Sequence, residues 1–226
     1  MSRDDLYPRD ENLRNILQDN CVSCSLDAAR NRISWGYGRV PCQLMLVGEA
    51  PAAGDPSCPL WKGSNYTGLP FTNERSGVRL RELMSELGVE LNQHAYVTNV
   101  VKCYPGCSVA KSGKRQTKDL RDCHFDACWV HLSRELEMVK PELVVCVGGY
   151  PWKQFSRHIG RDAPKLSCSV ISPPSVVEFA GRRFRLMGMF HPARWDSWVS
   201  VKTPGPEAYR EHLSKMITGA GGGGTS

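Results

Sequence analysis

The sequence predicts an α/β fold, a three-layer α/β/α sandwich around a central, mainly parallel sheet. Short apolar runs of strand length alternate with segments whose apolar residues recur at helical spacing. Strands joined through helices form right-handed βαβ units, which place successive strands parallel in one sheet. The 226 residues, 41% of them hydrophobic, suffice for a substantial core. We expect one domain over residues 1–218 and a flexible, glycine-rich tail over 219–226.

The expected strands are short and apolar, and turn-forming residues follow several of them. The first ends at Gly48, and the third ends at the glycine pair 148–149. We expect strands over residues 43–47, 96–101, 143–147, 169–171 and 184–190.

The expected helices carry apolar residues on one face and charges elsewhere. Four apolar side chains fall on one side of residues 78–87, and Gly88 follows as a C-cap. Cys128 begins another such run, which Pro141 ends. We expect helices over residues 78–87, 128–139, 150–158 and 207–217.

The composition excludes two classes of protein and favours a third. No apolar run approaches the roughly 20 residues that a membrane-spanning helix needs. The charged N-terminal segment 1–20 lacks the apolar part of a secretion signal, so we expect a cytoplasmic protein, nucleoid-associated in a prokaryote. The net charge of +6 and the pI near 8.8 suit DNA as a partner, although many soluble proteins have a mildly basic surface.

Ten cysteines are many for a chain that we place in the cytoplasm. Thiols stay reduced there, so metal ligation explains some of them better than disulfides do. Cys21 and Cys24 form a C-x-x-C pair, which by itself suits redox chemistry, zinc or an iron–sulfur cluster. Cys42, Cys146 and Cys168 lie in or beside apolar runs, and we expect them to be small buried residues.

Three polar residues come at or just after the ends of expected strands. They are Glu49, Asn99 and His191. In open parallel sheets, ligands bind beyond the carboxyl ends of the strands. The sequence therefore predicts that these side chains lie at one edge of one sheet.

Short motifs along the chain resemble, in order, those of the family 4 uracil-DNA glycosylases. Each motif alone is weak, but the ordered set covers nearly the whole chain. The motifs are C-x-x-C at 21–24, RNR at 30–32, LVGEAP at 46–51, GLPF at 68–71, YVTNVVKC at 96–103, Cys128, EL at 135–136, KP at 140–141 and FHPA at 190–193.

Three features depart from the family 4 pattern. Residues 56–67 lengthen the loop that precedes Phe71, and a longer basic connection separates Cys103 from Cys128. The residues that follow Phe71 are closer to the family 5 pattern. The lengthened loop bears on the shape of the pocket, and therefore on which base would fit.

The resemblance implies a structural [4Fe–4S] cluster, for which four cysteine thiolates are the usual ligands. The implied ligands are Cys21, Cys24, Cys103 and Cys128. The spacing from Cys128 to Pro141 matches the family, whereas that from Cys123 does not. Zinc is the alternative occupant, because soft ligands alone do not separate it from an iron–sulfur cluster.

The resemblance also implies a pocket for a base flipped out of DNA. Phe71 would stack on the base, and a core aromatic is the alternative reading of this residue. Asn99 can offer both a carbonyl acceptor and an amide donor to a pyrimidine edge, or it can be a residue of a strand-end turn. His191 would hydrogen-bond the pyrimidine O2 and stabilise negative charge as the bond breaks.

An acidic residue of the family falls at Asp55, six positions after Glu49. A carboxylate there would position or activate the attacking water. The competing interpretation is a turn residue before Pro56. Glu49 and Ala50 would line the pocket floor.

Two segments are candidates for direct DNA contacts. Arg194 and Trp195 follow the His-Pro motif, where the family inserts a segment into the gap left by the flipped nucleotide. Lys114 and Arg115 lie in the basic connection and would contact phosphates. The alternatives are a surface loop with one buried tryptophan and a solvated basic loop.

The sequence thus predicts a monomeric, monofunctional DNA glycosylase that hydrolyses the bond between a damaged base and its sugar. Uracil is the first expected substrate, in base excision repair. Because the segment 56–67 enlarges the pocket loop, excision of a bulky modified cytosine from phage DNA is the alternative. An iron–sulfur DNA-binding module without catalysis is the alternative of another class.

Overall fold

The chain forms a five-stranded sheet with helices on both faces. A computed structural model describes residues 21–53, 63–72, 75–109, 115–117, 120–195 and 206–218. The strands of the sheet lie side by side in the order Ala95–Asn99 (β2), Leu44–Gly48 (β1), Leu143–Val147 (β5), Arg182–Met189 (β7) and Ser175–Phe179 (β6); the first four are parallel, and β6 is antiparallel to β7. A separate antiparallel pair, Cys107–Val109 (β3) and Arg115–Thr117 (β4), lies in the basic connection.

The strands are short, as expected for a small α/β sheet. Their bounds are β1 Leu44–Gly48, β2 Ala95–Asn99, β3 Cys107–Val109, β4 Arg115–Thr117, β5 Leu143–Val147, β6 Ser175–Phe179 and β7 Arg182–Met189.

Within the described ranges, helices connect the strands and continue beyond the last of them. Their bounds are α1 Ser64–Thr67, α2 Arg75–Glu86, α3 Leu91–His94, α4 Asp122–Val139, α5 Gly149–His158, α6 Leu166–Ser169 and α7 Pro206–Thr218. Two short 3-10 helices cover Ser25–Ala28 and Pro192–Arg194.

The alternation of side chains along the central strands builds the three layers. In β1, Leu44 and Leu46 pack with α2 and α7, whereas Met45 and Val47 pack with α4 and α5. All five residues of each of β1, β2 and β5 are buried, which is typical of parallel strands covered on both faces. The predicted three-layer α/β/α sandwich is therefore confirmed.

The helix predicted from Cys128 begins six residues earlier, at Asp122. His124, the third residue of α4, accepts a hydrogen bond at Nδ1 from the backbone N–H of Arg121, at 3.1 Å. The N-cap residue, Arg121, is not one of the usual capping residues Ser, Thr, Asp or Asn, so the sequence gives no sign that a helix begins there. Cys128 therefore lies inside the helix, on its buried face with Leu132.

The strand predicted over residues 169–171 is wrong. Leu166–Ser169 forms the short helix α6, and the strand of this region, β6, begins at Ser175 after two prolines. Cys168, the third residue of α6, was expected to be buried, but it is exposed in the structure. Cys146 is fully buried in β5, as predicted, and Cys42 is partly buried.

No helix among the described residues is both long and apolar enough to cross a membrane.

Candidate active site

The carboxyl ends of four parallel strands meet at one edge of the sheet. Gly48 at the end of β1 pairs with Asn99 at the end of β2, and Val147 of β5 pairs with Met189 of β7. Glu49 follows Gly48 directly in the chain, and His191 comes two residues after Met189. The predicted placement of the three strand-end residues at one edge is therefore found in the structure.

Two glycines in the middle of this edge leave room for side chains from neighbouring segments. A Cβ built on Gly48 would lie 2.6 Å from Cζ of Phe71 and closer still to Oδ1 of Asn99. A Cβ built on Gly148, after β5, would lie 3.5 Å from Cβ and Cδ2 of His191. The aromatic ring and the amide therefore meet over β1, and the imidazole lies beside the end of β5.

Phe71 has a left-handed backbone, with φ of 50°, which is unfavourable for a bulky residue. Two features of α2 hold this conformation. Arg81 donates from Nη1 to the carbonyl oxygen of Phe71 at 2.7 Å and from Nη2 to that of Thr72 at 2.6 Å. Gly77 lets the helix pass so close that a Cβ would lie 2.8 Å from the Thr72 oxygen. The strained turn presents the Phe71 ring to the strand ends.

His191 caps the 3-10 helix Pro192–Arg194 with its own side chain. Its Nδ1 accepts a hydrogen bond from the backbone N–H of Ala193 at 3.3 Å. An accepting Nδ1 carries a lone pair, so the proton of the neutral imidazole is on Nε2. Burial and the nearby positive charge of Arg194 lower the pKa of His191 below its ordinary value of 6.5. The side chain is thus a neutral Nε2–H donor at pH 7.

A buried ion pair holds the backbone at Asn99. Lys102 and Glu135 are 1% and 0% exposed, and Lys102 Nζ lies 2.6 Å from Glu135 Oε2. The same ammonium donates to the Thr98 hydroxyl at 2.7 Å and to the carbonyl oxygen of Asn99 at 2.6 Å. All three of its hydrogens are used, as burial of an ammonium requires.

Glu135 joins this strand end to two other segments of the chain. Its Oε1 accepts hydrogen bonds from the Tyr96 hydroxyl and from the backbone N–H of Gly36, both at 3.2 Å. Its Oε2 also accepts from the Thr98 hydroxyl at 2.8 Å. The carboxylate thus connects α4 with β2 and with the N-terminal segment.

Four cysteines approach the same side of the sheet as this ion pair. Cys103 and Cys128 are buried, and Cys21 and Cys24 pack against the same apolar cluster. Burial raises the pKa of Cys128 to about 12, and the negative charges of Cys103 and Cys24 act in the same direction. Burial also raises the pKa of Cys103, to which Cys24 and Cys21 add smaller effects.

Two polar side chains contact these thiols, and neither contact was predicted from the sequence. Arg30 donates from Nη1 to the Cys103 sulfur at 3.5 Å. Nε2 of His131, one turn along α4 from Cys128, lies 3.4 Å from the Cys21 sulfur. Within the described ranges, no group of three or more His, Cys, Asp or Glu side chains is arranged as a metal site. The four thiols are of the chemical type that a soft metal centre takes as ligands.

Comparison with known proteins identifies the family. Residues 35–210 match the uracil DNA glycosylase superfamily. The chain belongs to this superfamily. A type-4 uracil-DNA glycosylase of Pyrobaculum aerophilum is 29% identical over 77% of this chain and 78% of its own length. One from Thermotoga maritima is 26% identical over 83% and 85%. A type-5 uracil-DNA glycosylase of P. aerophilum is 25% identical over 77% and 78%.

This membership of the uracil DNA glycosylase superfamily confirms the predicted family and, with the sheet order, the predicted fold. It also supports the predicted class of enzyme, a DNA glycosylase. Relatives of both type 4 and type 5 are similar to this chain.

Some of the predicted site residues of this superfamily member lie outside the described part of the chain. They are Asp55 and Lys114, together with most of the lengthened loop and the tail 219–226. Arg115 begins β4, of which only the backbone is described. The roles predicted for these residues stay predictions.

The segment after the His-Pro motif divides into an exposed and a buried residue. Arg194 is exposed, and its position suits a contact with DNA. Trp195 is only 2% exposed and packs against Tyr209 of α7, with ring centroids 5.0 Å apart. A direct DNA contact by Trp195 does not agree with this burial. The tryptophan instead anchors the segment to the core, which is the alternative left open by the sequence.

Proposed function

We propose that this protein is a monofunctional DNA glycosylase that excises uracil and starts base excision repair. The observation that carries the proposal is the meeting of Phe71 and Asn99 over Gly48, with His191 beside Gly148 at the same edge. An aromatic face, an amide and an imidazole donor are the groups that a flipped pyrimidine requires. The names of the type-4 and type-5 relatives support uracil as the base.

The stacking and edge-recognition roles belong to Phe71 and Asn99. Stacking on an aromatic ring contributes about 1–3 kcal/mol per base and depends little on which base is bound. The Asn99 carboxamide would accept from N3–H of uracil and donate to O4, a pattern that cytosine does not match. The buried Lys102–Glu135 pair supports this role, because it fixes the Asn99 carbonyl and so limits motion of the residue.

The leaving group is stabilised by His191. Its Nε2–H would donate to O2 of the pyrimidine, where negative charge develops as the glycosidic bond breaks. A donor already aligned by the cap to Ala193 needs no reorganisation during the reaction. Asp55 would orient the water that attacks the sugar, and Glu49 and Ala50 would line the floor. No lysine has a role in this scheme, so the product is an intact strand with an abasic site.

Cys21, Cys24, Cys103 and Cys128 would hold the [4Fe–4S] cluster that the sequence implies, with zinc as the alternative. When bound, the cluster would supply a structural cross-link rather than redox chemistry. Arg30 and His131 would donate hydrogen bonds to the sulfurs of Cys103 and Cys21. The protein would act as a monomer on DNA in the cytoplasm.

A single-turnover excision assay on duplexes carrying one target base tests the function. Asn99→Ala and His191→Ala should each slow uracil release about 100- to 1,000-fold, as expected for loss of one aligned donor. DNA affinity should change little, since phosphate contacts dominate it. If both variants fold, bind and cut like the parent, the pocket is elsewhere.

A panel of bases decides the substrate. The duplexes would carry uracil, hypoxanthine, xanthine, hydroxymethylcytosine and glucosylated hydroxymethylcytosine, and we expect uracil to be released fastest. Release of a modified cytosine without release of uracil would indicate that the protein acts in defence against phage rather than in repair. Binding without release of any base would favour a DNA-binding module without catalysis.

A matched pair of cysteine variants in α4 tests whether the protein binds the cluster. Cys128 is buried beside the other thiols, whereas Cys123 is exposed near the start of the same helix. Cys128→Ser should lose the visible absorbance, the iron and the sulfide, while Cys123→Ser should keep them. A colourless, folded parent that contains one zinc ion would reject the cluster and retain the ligand set.

A further inference from the structure

A second concave feature lies beside the active site, between α5 and the segment that leads to α6. It is a cleft of about 650 Å³. One wall is formed by α5, and the other by residues 160–166. The indole N–H of Trp152 donates to the carbonyl oxygen of Pro164 at 2.8 Å and joins the two walls.

The cleft is strongly basic. Lys153 and Arg157 are four residues apart on α5 and therefore lie on one face of the helix. Arg161 and Lys165 line the opposite wall. Asp162 is the single carboxylate among the lining residues, so four cations face one anion.

Two of the four cations have partners within the protein. Arg157 is paired with Asp126 of α4, and Arg161 donates to the carbonyl oxygen of Val176 at 3.4 Å. Lys153 and Lys165 are exposed, and they enter none of the ion pairs found in the described part of the chain. One free ammonium thus stands on each wall of the cleft.

The cleft begins where the active site ends. Gly149 lines it and is the first residue of α5, and a Cβ built on its neighbour Gly148 would lie 3.5 Å from the side chain of His191. The cleft therefore starts at the edge of the sheet where the proposed base-binding residues lie.

We propose that this cleft binds the sugar–phosphate backbone of the substrate strand, next to the nucleotide whose base enters the active site. Lys153 and Lys165 hold phosphates from opposite walls, and Arg161 adds positive charge on the wall that carries Lys165. The one aromatic donor of the lining, the Trp152 indole, is already bonded to Pro164, so the cleft offers charge rather than base recognition. The proposal rests on the proposed function, because it requires DNA as the substrate.

The experiment compares the salt dependence of DNA binding for three forms of the protein. The forms are the parent, Lys153→Gln/Lys165→Gln, and the control Arg182→Gln/Arg183→Gln. The control removes the same charge from the start of β7, at the opposite edge of the sheet. Binding of a uracil-containing duplex is measured by fluorescence anisotropy from low to high salt, and thermal unfolding checks that each variant is folded.

Each lost phosphate contact lowers the slope of log K against log salt by about 0.9. The cleft variant should therefore lose about 1.8 from the slope, and the control variant should keep the parent slope. Methylphosphonates next to the target nucleotide remove single phosphate charges. They should weaken binding by the parent and have no further effect on the cleft variant.

Two results overturn the proposal while leaving the function intact. One is a cleft variant with the parent slope, and the other is a control variant that loses as much slope as the cleft variant. A parent that neither binds nor cuts uracil-containing DNA rejects the proposed function, and the cleft proposal with it. The parent measurement therefore separates the two kinds of failure.

Discussion

Replacement of Gly48 by alanine adds one methyl group where two proposed base-binding side chains meet. Real Cβ atoms essentially never lie under 3.0 Å from a neighbouring atom, and 3.4 Å is the near limit of ordinary contact. The new Cβ would lie 2.6 Å from Cζ of Phe71 and closer to Oδ1 of Asn99. Both side chains must therefore withdraw by about 1 Å.

The expected effect on excision is much larger than the effect on stability. A misplacement of about 1 Å in a reacting pair costs about 100-fold in rate, so Gly48→Ala should slow uracil release at least that much. Overpacking a buried site costs about 1–3 kcal/mol of unfolding free energy. For a chain of this size, each kcal/mol lowers Tm by about 2–4 °C.

The matched control is Gly188→Ala, another buried glycine of the same sheet. Its Cβ would lie 2.5 Å from Cδ1 of Leu166 and 3.2 Å from Oγ of Ser169, away from Phe71 and Asn99. Single-turnover excision and thermal unfolding are measured for both variants. Gly188→Ala should lose a similar amount of stability and retain the excision rate of the parent.

A folded Gly48→Ala variant that releases uracil at the parent rate would refute the reasoning. The Phe71 ring and the Asn99 amide would then have no part in holding the base. Equal loss of excision in both variants would instead assign the effect to general destabilisation.

The remaining predictions concern His191 and the buried ion pair. Protonation of His191 would place a hydrogen on Nδ1 against the N–H of Ala193, so excision should fall on acidification with a midpoint below pH 6.5, and His191→Gln should lose this dependence in a pH–rate profile. The unfolded chain takes up this proton first, so the stability from neutral His191 is present above pH 6.5 and is lost as pH falls towards the lower folded pKa. Lys102→Met leaves a buried, unpaired Glu135 and should cost about 3–5 kcal/mol in denaturant unfolding, whereas Lys102→Met/Glu135→Leu should recover much of it. A single variant as stable as the double variant would contradict an ionised pair.

Those elements whose pattern is local were predictable from the sequence. The strands β1, β2 and β5 are buried runs; β1 ends in Gly48, β2 ends in Asn99 and β5 is followed by Gly148, and all three were placed within two residues. The start of α4 was missed because a histidine side chain caps it. The strand β6 was not predicted, because it has no continuous buried apolar run. Exposed, partly buried and buried positions alternate in it, and it begins directly after two prolines.

The residues of the candidate site also divide into those that the sequence predicted and those that it did not. Asn99 and His191 follow strands, so topology alone places them at one edge. Arg81 was not identified, because an arginine on a helix gives no sign that it clamps a turn ten residues earlier in the chain. The partnership of Lys102 with Glu135 spans 33 positions, and such a pairing leaves no periodic trace in a single sequence.

The strand order also sets the sequence in which a newly synthesised chain completes its pocket. All pairings of β2-β1-β5 lie within residues 44–147, so the strands that carry Asn99 are complete in the chain before β7 is made. His191 comes after β7, and Tyr209 of α7, which packs against Trp195, is made later still. The residues that would recognise a base are therefore synthesised before the residue that would stabilise its release, and because a domain folds as a unit the pocket is complete only when α7 is present.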